Sequence, residues 1–136
     1  NVKDFPSPER LVNVSNSCVR VARLFGFDPK VAFLSHSTFG KPISKNTKHV
    51  RDAIEILKNA KVDFDFDGEM QPDVALNPIY QEVYPFSKIV GNANILIMPA
   101  LHSAAISTKL MKVFGGGKLI GPLLIGLGLP IEVASL

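Results

Sequence analysis

Two apolar runs set the first constraint on this chain. Val31-Ala32-Phe33-Leu34 and the stretch from Ala93 to Met98 each stop at small or hydroxyl-bearing residues, after which the pattern turns helical. A run of apolar side chains without alternation fits a strand buried on both faces. Such a strand needs a layer on each side, and helices between successive strands supply it. The expected architecture is α/β: a three-layer sandwich with a mostly parallel or mixed sheet and helices on both faces.

Helix signals fall where that scheme needs them. Ser7-Pro8-Glu9 reads as a helix start, with Ser7 as N-cap and Pro8 in the first turn. Leu11, Val14, Cys18, Val21 and Phe25 follow at helical spacing and are expected to form its buried face, with Gly26 ending it. A second helix is expected from about Ser44, burying Val50, Ala53, Ile54 and Leu57. A third is expected to turn Ile106, Leu110, Val113 and Phe114 inward, closed by Gly115-Gly116-Gly117. VDFDFDGE alternates, so Val62, Phe64 and Phe66 should face one way and Asp63, Asp65 and Asp67 the wetter way. Residues 70–87 predict a short helix wrapped by ordered turns. Pro122 to Ile125 and Ile131 to Val133 read as two short strands. No closing helix follows the last of these, so residues 1–136 are expected to be a single domain within a larger polypeptide.

Composition narrows the class of function. With 46% hydrophobic and 20% charged residues in 136, the chain has enough apolar material for a packed core. Its net charge of +3 is dispersed, so no nucleic-acid stripe is expected. The longest apolar run, Leu119 to Ile131, is broken by glycines and prolines, and it falls short of the roughly 18–20 residues of a membrane span. One cysteine, Cys18, and no leader-like segment point to a reducing, cytoplasmic setting.

Three stretches fall at expected strand C-terminal ends: SHSTFG (35–40), DGE (67–69) and LHSA (101–104). In open α/β sheets ligands sit outside those ends, where helix N-termini favour anions. The residues fit a cleft for a small anionic or acyl ligand, and equally fit ordinary N-caps. His36 and His102 lie on cleft-edge loops and could bind phosphate or exchange a proton near neutral pH, whereas His49 reads as a solvated helix residue. Asp63, Asp65 and Asp67 are spaced about 6–7 Å per step along one strand face, which favours a solvated face over a metal set. Glycines 115–128 lack the order of a dinucleotide fingerprint and read as helix stops and turns.

Four stretches together resemble the phosphate acetyltransferase (phosphotransacetylase) family: KVAFLSHSTFGKP, FDGEMQPDVALNP, NANILIMPALHSAAISTKL and GGGKLIGPLLIGLGLPIEVASL. Their order and spacing agree along nearly the whole chain. MPALHSAAISTKL is similar to the transacetylase-like C-terminal domain of bacterial hybrid NADP-dependent malic enzymes, whose other domain decarboxylates malate oxidatively. The resemblance implies one lobe of a two-lobed transacetylase-like fold, with acyl-CoA and phosphate bound between the lobes. It implies a ligand set of Ser37, Thr38, Gly40, Lys109 and Ser135, to which the 101–104 loop adds His102 and Ser103. Catalytic residues and a metal are not expected here. NADP and a divalent metal (Mg or Mn) are implied for the malic enzyme domain only.

Two departures from the family pattern bear on function. Where transacetylases commonly read PDLNAGN, this chain reads PALHSAA, so Ala100, His102, Ala104 and Ala105 replace polar or glycine positions. The serine equivalent to Ser135 is followed in transacetylases by arginine, and here by Leu136, which removes a natural partner for phosphate. The expected function is therefore a regulatory domain that binds acetyl-CoA or a related acyl-CoA and supports a homo-oligomer, without nucleic acid or membrane. The alternatives are an active phosphate acetyltransferase and a structural oligomerisation module with a vestigial cleft.

Overall fold

The computed structural model describes residues 4–118, 120–121, 123–125 and 131–132. Its elements run α1 (Pro8–Leu24), β1 (Lys30–Leu34), a 3-10 turn (Lys45–Thr47), α2 (Lys48–Ala60), β2 (Asp65–Met70), α3 (Pro72–Leu76) and a second 3-10 turn (Pro78–Gln81). They continue with β3 (Ile95–Ile97), α4 (Leu101–Phe114), β4 (Leu123–Leu124) and β5 (Ile131–Glu132). β1 lies between β2 and β3, parallel to both, and β4 and β5 form a separate antiparallel pair.

Alternation along β1 divides the core. Val31 and Phe33 pack with Leu11, Val19 and Ala22 of α1 and with Val50, Ala53, Ile54 and Leu57 of α2. Ala32 and Leu34 face the other way, against Met70, Ala75, Ile89 and Ala93. Both faces of the central strand are thus covered, as a parallel sheet requires. The inward face of α2 is the one expected from its spacing.

Three sequence expectations are corrected. The buried face of α1 is Leu11, Ser15, Val19 and Ala22, while Val14 and Phe25 are exposed. The register turns because Ser15 can be buried at little cost: its hydroxyl donates to Val12 O at 2.8 Å within the same helix. The second strand begins at Asp65, so Val62 and Phe64 pack against the core from the approach to it. Its acidic face is not uniformly wet either. Asp67 is buried, and its carboxylate accepts from the Gly68 and Lys88 N–H groups at 2.9 and 2.7 Å.

The third correction concerns α4. Ile106, Leu110, Val113 and Phe114 are exposed, and no residue of this helix is buried. Nothing among the described residues covers its apolar side. The expected strand continuation at Val133 lies outside the described residues.

Candidate functional site

The C-terminal ends of β1, β2 and β3 meet at one edge of the sheet, and a bulge organises them. Phe33 pairs with Gly68 and Leu34 with Met70, leaving Glu69 as an extra residue in the β2 ladder. A bulge re-aims a side chain that strict alternation would send elsewhere. Gly68 makes it possible. At φ 146° it approaches β1 so closely that a Cβ would lie 2.7 Å from Phe33 O.

Glu69 is 1% exposed and gathers the loop after β1 around one carboxylate oxygen. Its Oε1 accepts from Ser37 Oγ at 2.9 Å, the Gly40 N–H at 3.1 Å and Arg51 Nη1 at 3.2 Å. Its main-chain carbonyl accepts from the Phe39 N–H at 2.7 Å. The Ser35 and Ser37 hydroxyls lie 3.3 Å apart, extending the network towards β1. Glu69 Oε2 is buried without a hydrogen-bond partner. Arg51 is fixed from behind by Thr47 Oγ1 at 2.5 Å and Ser44 O at 3.0 Å.

The first turns of α2 tie the crevice loops together. Arg51 reaches the loop after β1 and the end of β2. His49 Nε2 lies 2.9 Å from Pro99 O, in the loop after β3. The solvated role expected for His49 is therefore corrected: the residue is half-buried and bridges two elements. Gln71 completes the set, its side-chain amide donating to His36 O at 2.7 Å and its N–H to Thr38 Oγ1 at 3.2 Å.

Against this geometry the sequence-derived residues separate. Ser37, Thr38 and Gly40 are brought together, with their polar groups turned onto Glu69, Gln71 and Lys41. His36 is exposed on the same loop. His102 is exposed on the first turn of α4, and Ser103 beside it donates its hydroxyl to Ala100 O at 2.8 Å. Lys109 is exposed two turns further along α4 and is not drawn to the loops. Ser135 lies outside the described residues. Arg51 and Gln71 were not anticipated, His49 was expected to be solvated, and Glu69 fell within the DGE stretch without a role of its own. The one signal for Glu69 was a carboxylate set between Gly68 and Met70 at the end of a buried strand.

Away from this cluster, shifted acidity is found at Cys18 and Asp63, among other groups. Burial pushes the Cys18 thiol above its ordinary range. The hydrogen bond from Arg23, followed by its charge, holds the Asp63 carboxyl below its own. Among the described residues no three His, Cys, Asp or Glu side chains could hold a metal ion. No helix among them is long and apolar enough to cross a membrane.

Fold and site together define a parallel α/β domain whose strand-end loops are built on an internal carboxylate–guanidinium pair. A model of the phosphate acetyl/butaryl transferase family matches residues 1–136, and the chain belongs to that family. It is 46% identical over 135 residues to an NADP-dependent malic enzyme of Rhizobium meliloti, covering 99% of this chain and 18% of that protein. It is 34% identical over 131 residues to the phosphate acetyltransferase of Bacillus subtilis, covering 96% of this chain and 41% of that one. Among solved structures, the EutD phosphotransacetylase from Staphylococcus aureus superposes with a TM-score of 0.87 at 31% identity, covering 99% of this chain and 42% of that one. A Streptococcus pyogenes phosphotransacetylase gives 0.88 at 34% identity, covering 96% and 40%. The chain is thus a transacetylase-like domain shared by malic enzyme homologues and phosphotransacetylases, and it spans less than half the length of either.

Proposed function

We propose that this chain is most of one lobe of a regulatory domain that binds acetyl-CoA, or a related acyl-CoA, within an NADP-dependent malic enzyme. The observation that carries this reading is the commitment of the Ser37 hydroxyl and the Gly40 N–H to Glu69. Donors already satisfied by an internal carboxylate are not free to stabilise the charge that develops during acyl transfer to phosphate. The 46% identity to a malic enzyme over nearly the whole chain supports the same assignment. NADP and the divalent metal belong to the malic enzyme portion.

Regulation requires that acyl-CoA favour one arrangement of the assembly over another, a coupling typically of about 1–3 kcal/mol. The uncovered apolar side of α4 supports an oligomer in which that face is buried. The test is a calorimetric titration of acetyl-CoA into the full-length protein without phosphate, repeated while malate-dependent NADP reduction is followed. Micromolar binding, about −8 kcal/mol, with an altered rate of NADP reduction is the expected result. No heat up to nearly millimolar acetyl-CoA overturns the reading. Acetyl phosphate formation from acetyl-CoA and phosphate would assign the domain to catalysis instead.

A further inference from the structure

Three aromatic rings meet beside the crevice. The Phe39 ring centroid lies 5.3 Å from that of Tyr84 and 4.8 Å from that of Phe86, and Tyr84 and Phe86 are 6.0 Å apart. Phe86 stands edge-on to both neighbours, at interplanar angles of 68° and 80°. It is nevertheless 64% exposed, so much of the ring faces solvent. Phe39 and Tyr84 are half-buried and hold Phe86 in place, so the open face of Phe86, beside the polar strand-end loops, is what suits an occupant with a flat face of its own.

The backbone beneath the cluster is held in an unusual shape. Phe39 has φ 48° and Gly40 φ 82°, consecutive residues in the left-handed region. Glycine adopts this readily, but a bulky aromatic residue rarely does. Two hydrogen bonds to Glu69 enforce it, from the Phe39 N–H to the carbonyl and from the Gly40 N–H to the carboxylate. The Thr38–Lys41 bridge closes the turn with reciprocal bonds of 3.0 Å. The buried ion pair thus holds Phe39 where its ring meets Tyr84 and Phe86. An observed backbone outlier, fixed by its surroundings at a strand end, is the pattern from which a binding role is argued. Lys41 follows directly, exposed and without a carboxylate partner among the described residues.

We propose that Phe39, Tyr84 and Phe86 form a stacking platform for a purine ring, with Lys41 drawing the attached phosphates. The ligand class is an adenine nucleotide. On the acyl-CoA reading above, on which this rests, it is the nucleotide end of that ligand. Stacking supplies affinity through any aromatic face, and an adjacent lysine adds the electrostatic term.

The test compares the parent full-length protein with Phe86→Ala, Phe86→Trp and a nearby control, Val83→Ala. Acetyl-CoA and adenosine 3′,5′-bisphosphate are titrated into each, and thermal melts check that each is folded. Phe86→Ala is expected to weaken both ligands about tenfold, while Phe86→Trp and Val83→Ala stay within about twofold of the parent. If the parent binds acetyl-CoA and Phe86→Ala binds it equally well, the platform is wrong and the acyl-CoA reading stands. If the parent binds neither compound, both fall. If Phe86→Ala changes the oligomeric state with affinity unchanged, the rings belong to an interface between copies and the proposal is overturned.

Discussion

The Ser37 hydroxyl donates to Glu69 Oε1 across 2.9 Å, joining a wholly buried serine after β1 to a wholly buried carboxylate at the end of β2. The Gly40 N–H and Arg51 guanidinium complete the neutralisation of that oxygen. The loop whose hydroxyls and glycine look made for an outside anion is organised around an inside one. Its shape is therefore set by contacts within the chain itself.

Removing one partner of this ion pair leaves the other charged and buried, which is more damaging than losing both. Arg51→Met should lower the unfolding free energy by about 2–3 kcal/mol, less than for a fully buried pair because a third of the Arg51 side chain meets solvent. The double variant Arg51→Met/Glu69→Gln should recover part of the loss. Urea unfolding checks this, and a single variant within about 0.5 kcal/mol of the parent would show that Glu69 is stabilised by other means.

Gly68 has no room for a methyl group, with Phe33 O at 2.7 Å and Phe33 Cβ at 3.0 Å from the position it would take. Gly68→Ala should cost about 2–3 kcal/mol through the contact and the positive φ together, and lower Tm by on the order of 5–10 °C. Gly26→Ala offers the comparison, since φ is positive there but nothing lies within 4 Å of the added atom. Equal melting of the two variants would refute the close approach at the bulge.

Cys18 supplies the pH prediction. Burial raises its folded pKa above the ordinary thiol value, so the folded chain keeps its proton where the unfolded chain releases it. The resulting contribution is fully present below the unfolded thiol pKa and declines as pH rises through the folded one. Alkylation by iodoacetamide at pH 8 should be markedly slower in the native protein than in urea. Cys18→Ala should flatten the fall in stability above pH 9. Equal alkylation rates in both states would contradict the shift.

Much of the framework is legible in local pattern. Ser7 accepts from the Arg10 N–H at 3.3 Å as the cap of α1, and α2 buries the four residues its spacing selects. Both depend on neighbours within a turn or two, and helical periodicity carries that information. The α1 face was less legible because the buried stripe after Leu11 is displaced by one residue from the apolar one its spacing suggests. A serine that satisfies its own hydroxyl then packs where an apolar residue was expected.

The strand-end loops were legible in position and not in content. Strand ends followed by small residues located the loops, but a sequence cannot show which carboxylate bulges out of a ladder to meet them. Glu69 is 32 residues from Ser37 and 18 from Arg51, and His49 is 50 from Pro99. No local preference encodes those pairings. They arise when parallel crossovers lay β2 and β3 against β1 and bring the first turns of α2 over the strand ends. Local pattern was enough to specify an α/β chain with small and hydroxyl-bearing residues at its strand ends, because burial pattern and capping are short-range. That an internal ion pair fills the loop emerges from packing in three dimensions, because buried charges find their partners across distant segments.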